Sequence, residues 1–358
     1  MKIAIITDQH FGFKKGSKHF HSYFKKFYDN IFFPTLKERG ITTVIDMGDT
    51  FDSRKGIDLY SLDWAQRNYF DRLRDMGCKL TSIVGNHTAF YKNTNEINTL
   101  DLILREYDNI DVIVNPEERT FDKLKVLFVP WITSDDSERT HTIIKRSSAK
   151  VCMGHLELNG FSAHHGYTME DGHDALPFKK FTKTFSGHYH TRSTDGTISY
   201  LGNPYELYWN DCNDNRGFHI FDTDTLELES VNNPYQMYKV IRYNDTPRQL
   251  FRFQDYKDVI VKVVVFQKSN KKEYERFIDA LSNAGPYDLK IVEKIDGSQL
   301  DDTIVEQTED TVTLLDKFVD DLETDLDRGR IKSLLKNIYK EACEVTTVSY
   351  THLRAHET

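Results

Sequence analysis

The chain has 358 residues, of which 39% are hydrophobic and 13% aromatic, enough apolar material for one large or two smaller packed domains. No apolar run approaches the ~20 residues of a membrane span, and the N-terminal MKIAIITD reads as a first β-strand, not an export signal. The net charge of −9 is concentrated: residues 301–330 hold eleven acidic and three basic side chains, so the rest of the chain is nearly neutral and is not excluded from binding a polyanion. Cys78, Cys152, Cys212 and Cys343 lie far apart with no CxxC spacing, which predicts reduced thiols in a cytoplasmic protein.

In chain order, short apolar or β-branched runs each end in a polar cluster: KIAIITDQH, TTVIDMGDTFD, KLTSIVGNH, KVLFVPW, KVCMGH and KTFSGHYH. Helical patterns separate the first of them, over HFHSYFKKFYDNIFFPTLKERG and over LYSLDWAQRNYFDRLRDMG, with Gly77 placed to end the second. NTNEINTLDLILREY, at 93–107, predicts a third helix opened by capping-type residues. This alternation predicts a layered α/β fold with strands buried on both faces.

TISYLGNPYEL and RGFHIFDTDTLELESV read as hairpin-like strands. The strand–helix–strand pattern restarts at 233–298, which predicts a small second α/β domain after a first domain over 1–232. Residues 299–346 predict an acidic linker and a helical pair, with stripes from Val312 to Leu322 and from Ile331 to Ala342 broken at DLDRGR; 347–358 is expected to be a disordered tail.

Side chains at the carboxyl ends of strands in such a fold converge on one crevice. Those side chains are Asp8 and His10, Asp49 and Asp52, Asn86 and His87, His155, and His188 and His190. Singly, a strand-end Asp or Asn is more often a turn residue, and a lone His a hydrogen-bonded loop residue. Together, five strands end in metal-type ligands, four with a glycine just before that would let the chain turn sharply. Carboxylate, amide and imidazole without thiolate suit Mn²⁺, Fe²⁺ or Zn²⁺ in a reactive site and disfavour a structural zinc. Seven ligands are too many for one ion and fit two ions sharing a bridging carboxylate, an arrangement able to activate water and clamp a phosphoryl group. On this reading GHYH needs two imidazoles because one serves each ion.

The blocks Asp8-Gln9-His10, Gly48-Asp49-Thr50-Phe51-Asp52, Gly85-Asn86-His87, Gly154-His155 and Gly187-His188-Tyr189-His190, in this order, resemble the calcineurin-like metallophosphoesterases over roughly the first 220 residues. The contexts GDTFDSRKG, GHLELNG and YLGNPYEL narrow the resemblance to the SbcD-type DNA repair nucleases, in particular the nuclease subunit of tailed phages.

The resemblance implies that Asp8, His10 and His190 hold one divalent ion, Asn86, His155 and His188 a second, and Asp49 bridges them, with Mn²⁺ as the ion and Mg²⁺ the alternative. His87 is implied as a catalytic residue beside the scissile phosphate, assisting the leaving oxygen, and Asp52 as a supporting group. The family's acidic residue after GNH is Thr88 here, which puts the orientation of His87 in question. The resemblance further implies DNA as substrate, a DNA-capping role for 233–298, an SMC-like ATPase partner gripped by the C-terminal helices, a homodimer, and a phage-infected or bacterial cytoplasm. Lys14, Lys15, Lys18, Arg54, Lys55 and Arg192 flank the ligand loops and could seat DNA phosphates, or could be ordinary surface cations. The competing readings are a phosphatase or small phosphodiesterase with the same site, and a non-catalytic scaffold.

Overall fold

The structure, a computed structural model, describes residues 1–164, 167–293, 319 and 327–335. Met1–Val292 forms one compact unit and Glu293–Thr358 another.

In the first unit, two six-stranded sheets carry the architecture. One runs in the order Leu228–Asn232, Gly217–Asp222, Lys2–Ile6, Thr43–Asp46, Lys79–Ile83, Ile110–Ile113. Its last four strands are parallel, and the hairpin 217–232 joins antiparallel beside the N-terminal strand. The other runs Ser193–Thr194, Ile198–Tyr200, Lys183–Gly187, Val151–His155, Leu124–Val129, Glu117–Phe121, parallel in its four central strands.

The period-2 alternation of each strand explains the layering. Ile3, Ile5, Ile45 and Ile83 face Val126, Phe128, Val151, Met153 and Phe185 in an apolar layer shared by the two sheets. Ala4, Ile6 and Val44 point the other way, onto helices. Likewise Leu127, Val129 and Cys152 pack into a separate cluster on the outer face of the second sheet. The expected helix-flanked α/β layering is therefore present, with strands buried on both faces.

The helices over the first sheet are aromatic-rich. Lys18–Phe27 passes through a π turn, Tyr28–Phe32, into Phe33–Arg39, and Leu59–Ala65 passes through a second, Gln66–Phe70, into Asp71–Asp75. Phe24, Phe27, Tyr28, Phe32, Trp64, Tyr69 and Phe70 from these segments are all buried in one cluster with Tyr205 and Phe218. Gly77, with φ of +66°, follows the second helix where a left-handed residue is required.

The helix expected over 93–107 is much shorter, Thr99–Ile103. Asn98 caps it, accepting from the Asp101 N–H at 2.8 Å. The polar residues before it are committed elsewhere: Asn93 Nδ2 donates to Asp135 at 2.7 Å and Asn95 Nδ2 to the Trp131 carbonyl at 2.7 Å. The edge strands Ile110–Ile113 and Glu117–Phe121 and the helix Ser137–Arg146 were not expected from the sequence.

Tyr238–Asn244, Ile260–Gln267 and Asp288–Glu293 form a third sheet, packed with the helix Lys271–Asn283 around Ile241, Tyr243, Val261, Val263 and Phe277. It has its own apolar cluster within the compact unit Met1–Val292. In the second unit, residues 328–335 are helical, opened by Asp327, whose Oδ1 accepts from Gly329 N at 2.9 Å. That start falls inside DLDRGR; the remainder of the expected linker, helical pair and tail lies outside the described residues. No helix among the described residues is long and apolar enough to cross a membrane. Cys78 and Cys152 are buried free thiols.

Candidate metal centre

Every residue expected at the site lies at or just beyond the carboxyl end of a parallel strand, three strands from the first sheet and two from the second. The two sheets meet there directly. The His188 N–H lies 3.1 Å from both carboxylate oxygens of Asp8, and His155 Nε2 lies 3.2 Å from Asp49 Oδ2.

Three groups of donor atoms result among the described residues, each with one atom per residue and all within 4.8 Å of one another: a first of Asp8, His10 and His190; a second of Asp49, His155 and His188; and a third of His10, Asp52 and His87, which shares His10 with the first. Asn86 belongs to the second group, its Oδ1 standing 3.0 Å from both His155 Nε2 and His188 Nδ1. In the first, His10 Nε2 and His190 Nε2 face each other at 3.1 Å. Oxygen and imidazole nitrogen atoms converging this closely, with no thiolate, fit a divalent cation in each of the first two groups.

Asp8, His10, Asp49 and His155 are buried and form the floor, whereas Asn86, His87, His188, His190 and Asp52 are half-buried and form a rim open to solvent. In GHYH the alternation does the sorting. Tyr189 points away from the histidines into the outer core, stacking on Tyr200 at 4.5 Å and donating to the Leu158 carbonyl at 3.0 Å.

The glycines act mainly by close approach, which corrects the expectation that each turns the chain. Only Gly48 has positive φ, +102°. A Cβ on Gly85 would stand 2.2 Å from Asp49 Oδ1, and one on Gly187 would stand 2.1 Å from Thr7 Oγ1 and 2.9 Å from Asp8 Oδ2. The left-handed conformations belong instead to four of the candidate ligands: Asp8, His10, Asp49 and His188 have φ of 53°, 47°, 51° and 84°.

Outer partners orient the rings. His155 Nδ1 donates to the Met47 carbonyl at 2.9 Å, which turns Nε2 into the site. His10 Nδ1 faces Asp52 Oδ1 at 3.2 Å, and Glu157 Oε1 stands 3.8 Å from His188 Nε2. His87 is held at both ends, its N–H donating to Asp49 Oδ1 at 2.8 Å and its Nδ1 to the Asp52 carbonyl at 2.7 Å. A carbonyl only accepts, so Nδ1 carries the proton and Nε2 is the ring's free position. Thr88 does not touch this arrangement through an acid's chemistry. Its hydroxyl accepts from Gly85 N at 2.9 Å and closes the 85–88 turn. With no acid at position 88, it is the Asp52 carbonyl that contacts the His87 ring.

Burial pushes the Asp49 carboxyl up, but the surrounding His155, His87 and His10 outweigh it and hold the group well below the usual carboxylate range. Burial pulls His155 down, and the adjacent Asp49 more than reverses this, lifting it to about 9. Burial, then the charge of His10, keeps His190 well below the usual imidazole range, and burial likewise lowers His188.

Of the flanking cations, Lys14, Lys15, Lys18 and Lys55 are exposed and Arg54 is half-buried. Arg192 is half-buried and donates through Nε to the Leu201 carbonyl at 3.2 Å and through Nη1 to Asn232 Oδ1 at 2.7 Å, while its Nη2 is buried without a hydrogen-bond partner. Trp131, whose ring lies 4.9 Å from that of His188, was missed from sequence, although it sits at the same strand end as the ligands.

No protein-family profile matches the chain. It is 32% identical to exonuclease subunit 1 of Enterobacteria phage T4 over 314 residues, 86% of this chain and 90% of that protein. Its fold is similar to an archaeal phosphodiesterase (TM-score 0.34, 14% identity, covering 65% of this chain and 100% of that one). It is also similar to a dimetal phosphatase from Danio rerio (TM-score 0.38, 10% identity, 62% and 91% covered). A third likeness is a purple acid phosphatase from yellow lupin (TM-score 0.39, 10% identity, 64% and 52% covered). The identity to the phage protein over nearly the whole of both chains places this chain in the exonuclease subunit 1 family.

Proposed function

We propose that the chain is the nuclease subunit of an SbcCD-like phage recombination and repair complex, a metal-dependent hydrolase that cleaves DNA phosphodiester bonds as an exonuclease and endonuclease. The observation that carries the reading is the pair of three-residue donor groups, built from four strand ends, with Asn86 from a fifth completing the second.

Asp8, His10 and His190 would hold one cation and Asn86, His155 and His188 the other, with Asp49 between them. Mn²⁺ is the favoured ion and Mg²⁺ the alternative. When bound, two such ions supply Lewis-acid activation of water and neutralise charge on a phosphoryl group. The remaining work falls to the chain. His87, its Nδ1 proton committed to the Asp52 carbonyl, presents Nε2 at the rim, where a protonated ring can deliver its proton to a leaving oxygen. Asp52 acts through its neighbours, with its carboxylate against His10 and its carbonyl against His87. Exposed Lys14, Lys15, Lys18 and Lys55 would seat substrate phosphates without reading sequence.

The relative's name describes it as a subunit. We extend this to an SMC-like ATPase partner held by the C-terminal segment, a homodimer, and a DNA-capping role for 233–298 as a domain distinct from the nuclease domain 1–232.

The test incubates purified protein and Mn²⁺ with end-labelled duplex and single-stranded DNA, against p-nitrophenyl phosphate mono- and diesters. DNA cleavage abolished by Asp49→Asn, with the fold intact, is expected. Hydrolysis of monoesters without DNA cleavage would favour the phosphatase reading, and full DNA cleavage by the variant would place the chemistry elsewhere.

A further inference from the structure

The YLGNPYEL block contributes no candidate ligand, yet it is built around the backbone of one. Gly202, with φ of +70°, lies so close beneath His190 that a Cβ there would stand 2.7 Å from the His190 carbonyl oxygen. Asn203 N donates to that same oxygen at 3.3 Å. The third group on it comes from further along the chain. Arg216 donates through Nη1 to the His190 carbonyl and to Asn203 Oδ1 together.

Arg216 is 2% exposed. Its Nη2 lies 3.1 Å from Asp211 Oδ1 and 2.7 Å from Asp214 Oδ2. Asp211 is in turn fixed through Oδ2 by the N–H groups of Leu207 and Tyr208 at 2.7 and 3.0 Å. A buried ion cluster of this kind adds little net stability over an apolar one, because desolvation offsets most of the attraction. What it does supply is placement, through a planar fork rigid enough to address two acceptors with one nitrogen and two carboxylates with the other.

The placement matters because of where each end lies. Arg216 immediately precedes the strand Gly217–Asp222, which pairs antiparallel with Lys2–Ile6, the strand that leads into Asp8 and His10. His190 sits beyond the end of Lys183–Gly187 in the other sheet. Its neighbour ligand His188 is tied to Asp8 through its own N–H, whereas the His190 ring meets Asp8 only at 4.0 Å. The guanidinium is thus a strut from the Asp8–His10 strand system to the backbone of the ligand that must close on it.

We propose that Arg216 is a positioning residue for the first metal site: it sets the His190 backbone so that the ring converges with Asp8 and His10. This rests on the reading of His190 as a ligand. The full-length protein, stripped of metal, is titrated with Mn²⁺ alone, with free Mn²⁺ followed by electron paramagnetic resonance and the fold by circular dichroism. Arg216→Lys keeps the charge and removes the fork. The expected result is two sites, one unchanged and one weakened about 10–100-fold, the usual scale for losing an outer-shell partner.

His190→Ala identifies the affected site, and adding Arg216→Lys to it should cause no further loss of Mn²⁺ binding. If His190→Ala alone keeps both sites at full affinity, the ligand reading fails and the strut with it. If His190→Ala loses a site but a folded Arg216→Lys binds both ions like the wild type, only the strut is overturned. Should Arg216→Lys not fold, Asn203→Ala decides, since it removes the acceptor that helps aim Nη1. A weakened first site then supports the proposal and unchanged binding refutes it. Loss of folding in both variants would make the cluster a folding element and refute it equally.

Discussion

Gly85→Ala adds one methyl group to the floor of the centre, and its consequence can be worked out from distances. Gly85 does not have positive φ, so alanine brings no backbone strain, and the effect is steric. The new Cβ would stand 2.2 Å from Asp49 Oδ1, 2.6 Å from Asp49 N and 3.0 Å from Asp49 Cγ, where ordinary contact begins near 3.4 Å. Asp49 cannot step back as a unit, because its carbonyl accepts from His10 N at 2.9 Å. Its carboxylate must therefore move by about 1 Å, giving up the His87 N–H at 2.8 Å or the His155 contact at 3.2 Å, and the 2.6 Å approach to Asp49 N requires a smaller shift of the backbone at 49 or 85 as well. Overpacking of this size costs ~1–3 kcal/mol of stability. A misplacement of about 1 Å at a reacting centre costs on the order of 10²-fold in rate. Initial rates on an oligonucleotide and on bis-p-nitrophenyl phosphate at saturating Mn²⁺ should fall by about that factor while circular dichroism stays native. Gly56→Ala, where a Cβ meets nothing within 4 Å, serves as the control. A folded Gly85→Ala enzyme with wild-type kcat would show that Asp49 does not sit where the chemistry happens.

Three further outcomes are expected. His87→Gln should keep two bound ions by elemental analysis and lose about 10²–10⁴ in kcat, the scale of general acid help; a drop to one ion would make His87 a ligand. Burial lifts the Glu206 carboxyl to about 7 against the N–H groups of Tyr238, Met237 and Asn213, so the native state holds that proton more tightly than the unfolded chain. The resulting stability is complete below the ordinary glutamate range and lost as pH rises through about 7. Urea unfolding of wild type should accordingly weaken by up to ~3 kcal/mol across that window, and Glu206→Gln should flatten the slope; an unchanged slope refutes the assignment. Deleting residues 305–358 should leave a folded, Mn²⁺-dependent nuclease on short single-stranded DNA that no longer co-purifies with the ATPase partner. Aggregation of the truncated protein would assign the segment to its own core.

The candidate ligands were legible because each announces itself locally. A buried strand ends, a glycine permits close approach, and a carboxylate, amide or imidazole follows. Nothing more than strand periodicity is needed to place His188 and His190 together with Tyr189 opposed. Groups that act across the fold leave no such trace. Glu157 is two residues from His155, yet its oxygen faces His188 from the neighbouring strand's loop. Arg216 meets the His190 carbonyl 26 residues away in sequence. Arg192 is another case: its position beside GHYH gives no sign that its Nε and Nη1 are bound to Leu201 and Asn232. The 93–107 helix was overextended because Asn93 and Asn95 read as capping residues, when tertiary hydrogen bonds to 131–135 claim them.

What holds the ligands in left-handed conformations is also non-local, and it bears on how the site exists before any ion arrives. Asp8, His10 and Asp49 each occupy a region that costs a non-glycine residue ~1–2 kcal/mol. The loops that bear them are laced to one another past the strand ends: Asp8 N to the Gly48 carbonyl at 2.9 Å, His10 N to Asp49 at 2.9 Å, Phe11 N to Thr50 at 2.8 Å and Asp52 N back to Phe11 at 3.0 Å. Beyond the ligands, Phe11 and Phe51 form a parallel bridge and meet edge to face at 5.8 Å, both fully buried among Trp64, Tyr69 and Phe70. Burying two phenyl rings is worth about 3–6 kcal/mol, comparable to the strain of the three residues they follow. The aromatic core can therefore hold Asp8, His10 and Asp49 in register by itself, and a cation meets donors whose backbone is already set.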